Sequence, residues 1–197
     1  MLSLEPHAVT LLVVDLQVGF DEPCWGRRNN PCLEQRTSEL LRAWRPTGRP
    51  VVHVRHMSTK PLSPLRPGQP GNEFKPEGAP LAGEAVIEKR VNSAFIGTSL
   101  ETDLRRAGCS GLVIVGLTTN HCVSTTARMA GNLGFATWVV SDATATFDRV
   151  GPDGVEHLAE HIHAIALSDL HGEFATVVDT GAVIAALQVP NSSRSAS

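Results

Sequence analysis

Residues 111–135 read GLVIVGLTTNHCVSTTARMAGNLGF. The first seven, Gly111–Leu117, form a continuous apolar run, as expected of a strand covered on both faces. The period then changes. From about His121 to Leu133 the pattern is helical, and Gly134 stops it. A buried strand thus runs directly into a helix.

The same alternation recurs outward in both directions. Val9–Leu16 (VTLLVVDL), Val51–His56, Ala85–Lys89, Ala136–Ser141 and Ala175–Val178 read as strands. Leu33–Arg45, Ser99–Ala107, Asp153–Leu170 and a last segment through Leu187 read as helices. Leu40, Leu41 and Trp44 share one stripe of the first helix, which Pro46 and Gly48 end. Strands and helices alternating at this spacing predict a parallel sheet with right-handed crossovers. The expected fold class is α/β: a three-layer α/β/α sandwich, Rossmann-like, with a mainly parallel six-stranded sheet. Residues 1–190 are expected to form a single domain and 191–197 a disordered tail. The long proline- and glycine-rich stretch Met57–Gly83 is expected to be a lid, a subunit contact or a plain surface excursion.

The chain has 197 residues, 42% hydrophobic and 19% charged. That is a globular composition, and a chain this long buries roughly 70% of its surface on folding. A net charge of −3 gives no reason to expect nucleic acid or an anionic membrane as partner. No apolar run is long enough for a transmembrane helix, and the N-terminus lacks the basic region and cleavage site of a signal peptide. The four cysteines, Cys24, Cys32, Cys109 and Cys122, fit no zinc pattern. A reduced, cytoplasmic protein is expected. Cys109 reads as packing, and a Cys24–Cys32 disulfide is conceivable.

In an open parallel sheet, ligands bind beyond the carboxyl ends of the strands, at the switch point of the strand order. The reactive residues at those ends are Asp15 and Gln17; His53, Arg55 and His56; Lys89 and Arg90; Thr118 to Cys122; and Asp142. Cys122 would lie in the first turn of its helix, with Thr119 or Asn120 as N-cap. Unpaired N–H groups and the positive end of the helix dipole favour a thiolate there and could hold an oxyanion. Asp15 interrupts an apolar run, so it needs a partner. Lys89 ends a strand. A thiol, a carboxylate and a cation together make an activated nucleophile. If the first and fourth strands flank the switch point, Lys89 starts two strands from Asp15, about 10 Å away.

The segments VVDLQVGF (13–20), EKRVNSAFIGTSLETDLRRAG (88–108), the 112–135 stretch and VVSDATATF (139–147) resemble the isochorismatase-like cysteine hydrolases. The resemblance spans Val9 to Leu187 and is closest to the streptothricin-hydrolase-like, generic amidohydrolase branch. It implies a catalytic triad of Asp15, Lys89 and Cys122. It also implies a cis peptide between Leu117 and Thr118, aiming the N–H groups of Thr118 and Cys122 at one oxyanion hole. The implied reaction is hydrolysis of an amide, imide, carbamoyl or lactam C–N bond through a Cys122 thioester. Family subunits usually assemble, so a homodimer or homotetramer is implied, acting on a small-molecule substrate.

Nicotinamidases of the superfamily bind a metal through an Asp-x-His unit and a further histidine. Here VVHVRHMSTK offers His53 and His56 but no such aspartate, so neither metal nor cofactor is expected. His56 is expected to line the pocket, with Phe20, Trp25, Phe95 and His121 as further substrate-binding walls. His157 and His161 read as an i,i+4 pair on a helix, without a third ligand. Two other functions compete: an isochorismatase-type ether hydrolase, which lacks the cysteine nucleophile, and a non-catalytic scaffold. A dinucleotide site is excluded, because DLQVGFDEP after the first strand has no GxGxxG.

Overall fold

The structure is a computed structural model that describes Leu4 and residues 8–188; the expected tail at 191–197 lies outside the described residues. The central sheet has six parallel strands: β1 (Val9–Val14), β2 (Val51–His56), β3 (Ala85–Lys89), β4 (Gly111–Leu117), β5 (Ala136–Ala145) and β8 (Thr176–Val178). Their order is β3-β2-β1-β4-β5-β8. The chain builds outward from β1 on one side, then crosses to β4 on the other. The switch point therefore falls between β1 and β4.

Both faces of β1 are buried, and its side chains alternate between two cores. Leu12 and Val14 pack with one cluster. Val9, Leu11 and Val13 pack with the other. Helices α2 (Leu100–Arg106), α3 (Ser124–Asn132) and α4 (Ala159–Leu170) cover the first face through residues such as Leu104, Ala127 and Leu170. Helices α1 (Leu33–Trp44) and α5 (Thr180–Gln188) cover the second, with Leu40, Trp44 and Val183. Each fully buried leucine of this kind contributes about 1.5–3 kcal/mol. The alternation explains why β1 reads as an unbroken apolar run.

Two local features differ from the sequence reading. First, β5 runs on to Ala145 instead of ending at Ser141. Ile114 pairs with Val139 but Gly116 with Thr144, so β5 carries extra residues there. Such a bulge is invisible to a period-two pattern.

Second, the expected helix from Asp153 begins only at Ala159. Residues before it form a hairpin, β6 (Arg149–Val150) against antiparallel β7 (Glu156–His157). Its tip is Pro152-Asp153-Gly154, where Gly154 takes φ +79° and Asp153 Oδ1 accepts the Val155 N–H. That is turn chemistry. It removes His157 from the helix, so His157 and His161 are not an i,i+4 pair. All four cysteines are free thiols and Cys109 is buried, in line with the reading of a reduced protein in which Cys109 packs.

Candidate active site

The carboxyl ends of β1, β2, β3 and β4 meet at one point. Asp15 follows β1 with φ +51°. Its N–H donates to the Val54 carbonyl at 2.9 Å, and its own carbonyl accepts from Gln17 N–H at 2.8 Å. The chain thus turns sharply and leaves the carboxylate fully buried.

Lys89 is the last residue of β3, in register with His56 of β2. Its side chain spans the gap beyond β2 and is also fully buried. Nζ lies 2.6 Å from Asp15 Oδ2, 3.0 Å from His56 Nδ1 and 3.3 Å from Cys122 Sγ. Three N–H donors meet three acceptors. An ammonium cannot accept, so His56 Nδ1 must carry its lone pair and Nε2 the hydrogen. Burial, followed by the Lys89 charge, pushes the His56 pKa down, which agrees with a neutral ring.

Cys122 sits in a π-turn, Thr119–Val123, ahead of α3. The turn has Thr118 at its N-terminus and no side-chain cap; the Thr118 carbonyl accepts the N–H groups of His121 and Val123. Neither Thr119 nor Asn120 caps it. Thr119 Oγ1 instead meets His163 Nδ1 at 2.9 Å, and Asn120 Oδ1 accepts the Thr146 hydroxyl at 2.6 Å. These contacts brace the turn from behind. The Leu117–Thr118 peptide is cis.

Burial disfavours the Cys122 thiolate. Burial pushes its pKa well above the usual thiol range, and the Asp15 charge adds to this; Lys89 acts in the opposite direction. Cys122 does lie in the first helical turn, which runs straight into α3, but its sulfur is walled in and desolvation opposes the thiolate. Asp15 Oδ1 is buried without a hydrogen-bond partner. Ligand atoms of Asp15, His56 and Cys122 lie within 4.8 Å of one another. The Asp15 carboxylate therefore stands near the Cys122 thiol.

Those three residues could in principle hold a metal ion. Lys89 Nζ, however, is within bonding reach of all three. An ammonium in that position does not fit a bound cation, so no metal step is derived. His53 points elsewhere: its Nε2 meets Glu84 at 2.8 Å and its ring meets the Phe74 edge.

A cavity of about 480 Å³ opens above Cys122. Phe20, Trp25, His56, Thr118 and His121 line it. Phe95 does not. It is buried and stacks on Phe135 at 6.0 Å, under the sheet face covered by α2 and α3. Phe147, unassigned from sequence, takes the third place in an aromatic wall, 6.1 Å from Phe20 and 5.7 Å from Trp25. Asn92, also unassigned, accepts weakly from the Cys122 thiol at 3.9 Å. Both lie inside the quoted segments EKRVNSAF and DATATF, so a signal existed.

The 57–83 stretch supplies Ser58, Thr59, Lys60, Ser63 and Leu65 to the cavity rim. Asn72 pins it, with Nδ2 donating to the carbonyls of His56 and Leu65. Asp142 and Arg55 are not cavity residues. Asp142 Oδ1 accepts the Thr180 N–H and hydroxyl at the start of α5. Arg55 pairs with Glu88 at 2.6 Å.

The isochorismatase domain family matches residues 9–182. The isochorismatase family protein YrdC of Bacillus subtilis is 45% identical over 174 residues, covering 88% of this chain and 93% of that protein. The streptothricin hydrolase of Streptomyces noursei is 33% identical over 138 residues, 70% of this chain and 50% of its own length. A solved structure of an isochorismatase-family protein from Chromobacterium violaceum superposes with a TM-score of 0.91 at 46% identity. It covers 94% of this chain and 96% of its own.

Proposed function

The chain belongs to the isochorismatase family, and on that footing we propose that it is a cysteine-dependent hydrolase of a small-molecule C–N bond. The carrying observation is the Lys89 ammonium bridging Asp15 Oδ2 and Cys122 Sγ, with Asp15 Oδ1 left unpartnered. The streptothricin hydrolase among its relatives is consistent with such chemistry. An ether hydrolase of the isochorismatase type has no use for a thiol in that position.

In this reading the resting site holds a Cys122 thiol, an Asp15 carboxylate and a Lys89 ammonium. When an amide carbonyl docks, Asp15 Oδ1 takes the thiol proton and Sγ bonds to the carbonyl carbon. The π pair moves to oxygen. Backbone N–H groups of Thr118 and Cys122, two cavity residues, are assigned to that oxyanion. Asp15 then gives its proton to the leaving nitrogen, the C–N bond breaks, and a thioester remains. Water attacks the thioester and passes a proton to Asp15. Collapse releases the acid, and Asp15 returns the proton to sulfur. Lys89 stays charged throughout and stabilises whichever partner carries the negative charge. His56 presents Nε2–H to the cavity as a donor for a substrate oxygen.

The test is a panel of small amides, imides, carbamoyl compounds and lactams, scored for acid or ammonia release. Turnover by the wild type, with a thioester trapped on Cys122, is expected. Undiminished hydrolysis by Cys122→Ala would overturn the assignment.

A further inference from the structure

The cavity mouth carries a charge pattern that the hydrolytic step does not use. Five cavity-lining residues bear full charges: Asp15, Lys60, Arg90, Asp148 and Arg149. The Asp15 charge is met by Lys89. Both Asp148 oxygens are taken by Arg27, at 2.8 and 2.9 Å, and one also accepts the Ala159 N–H. Arg27 is shared with Glu160, at 2.6 and 2.8 Å, so this cluster keeps one net negative charge against three unpaired cations. Lys60, Arg90 and Arg149 have no carboxylate within salt-bridge distance among the described residues. All three are exposed.

They come from three separate elements: the 57–83 stretch, the segment after β3, and β6. They still converge. Lys60 and Arg149 both oppose protonation of His121, and Lys60 also opposes that of His56. The two histidines are half-buried and burial keeps them from adding charge. The mouth is therefore cationic, in a chain whose net charge is −3. Unpaired cations around a concave, low-dielectric site concentrate anions there.

We propose that the substrate carries a carboxylate on the side away from its scissile carbonyl, held by Lys60, Arg90 and Arg149. This rests on the hydrolase reading and narrows it to acyl amides or carbamoyl compounds that are themselves anions. The aromatic wall of Phe20, Trp25 and Phe147 takes the apolar stem between the two ends.

The test separates cavity charge from catalysis by using two small alkylating agents of similar shape. Iodoacetate is an anion and iodoacetamide is neutral. Cys122 and Cys24 both line the cavity, whereas Cys32 is exposed outside it. Peptide-resolved mass spectrometry gives the iodoacetate-to-iodoacetamide rate ratio at each cysteine. The ratio at Cys122 and Cys24 should exceed that at Cys32 by about tenfold or more. It should fall toward the Cys32 value in Lys60→Gln/Arg90→Gln/Arg149→Gln, and in about 1 M salt, where screening acts within about 3 Å.

Equal ratios at all three cysteines in the wild type, or a cavity ratio unchanged in the triple variant, overturn the proposal. If Cys122 resists both reagents, as a walled-in thiol can, the Cys24 ratio decides the charge of the cavity, and turnover by Cys122→Ala decides the nucleophile separately. Should the triple variant not fold, the salt dependence of the wild type decides it.

Discussion

Lys89 Nζ stands 3.0 Å from His56 Nδ1, so the buried ammonium dictates which nitrogen of the histidine bears its hydrogen. The two residues are neighbours across adjacent parallel strands. Their contact joins the charge of the buried pair to the donor that faces the cavity.

This relationship sets a pH dependence. The folded-state pKa of His56 lies below its ordinary value of 6.5. The neutral ring is therefore fully present above 6.5, and both its role and its stabilising contribution are lost as pH falls through the depressed value. Protonation would place a second cation against Lys89. The kcat/KM profile should show an acid limb below pH 6.5 that disappears in His56→Gln, where the amide oxygen can still accept from Lys89. An identical limb in that variant would assign it to another group.

Asp15 and Lys89 should separate when changed singly. Lys89→Met leaves a buried carboxylate without its cation and should cost about 3–5 kcal/mol of stability, read by denaturant unfolding. It should also slow iodoacetamide labelling of Cys122, because the one charge favouring thiolate is gone. Asp15→Asn should do the opposite to the thiol. Labelling should speed up, since a charge opposing ionisation is removed, while turnover is lost with the proton acceptor. Slower labelling in Asp15→Asn would contradict this electrostatic account.

Gly116 should tolerate no side chain. Its φ is +114°, and a Cβ there would lie 1.9 Å from the Val14 carbonyl oxygen. Gly116→Ala combines backbone strain with overpacking between β1 and β4, for a loss on the order of 4 kcal/mol. A melting temperature within a few degrees of wild type would show that the strands can part without cost.

Two phenylalanines should answer differently. Phe147→Ala opens the aromatic wall and should raise KM; because Phe147 is as buried as Phe95, it should also cost about 3–5 kcal/mol. Phe95→Ala empties a core position beside Phe135 and should cost about 3–5 kcal/mol while leaving KM unchanged. Steady-state kinetics and unfolding curves on the two variants read both effects.

The parallel six-stranded sheet and the two-faced burial of β1 were legible in the linear chain; the meeting of Asp15 and Cys122 followed only once the first and fourth strands flanked the switch point. They follow from hydrophobic period and from the rule that parallel strands present their carboxyl ends together. Phe95 misled because a phenylalanine after a strand looks alike whether it faces a cavity or a core; only packing against Phe135 decides. The hairpin at 149–157 was legible in Pro152-Asp153-Gly154 but was masked by the helical pattern that follows.

Of the three residues at the centre, Cys122 and Asp15 announced themselves through position. What the sequence determined by itself was that a thiol, a carboxylate and a lysine stand at the carboxyl ends of strands. What only the tertiary structure decided was how they touch and how deeply the thiol is buried. Burial raises the thiol, Asp15 keeps one oxygen without a hydrogen-bond partner among the described residues, and Lys89 bridges to sulfur and imidazole. Charge in a protein depends on desolvation and on distances of a few ångströms, and neither is written in residue order.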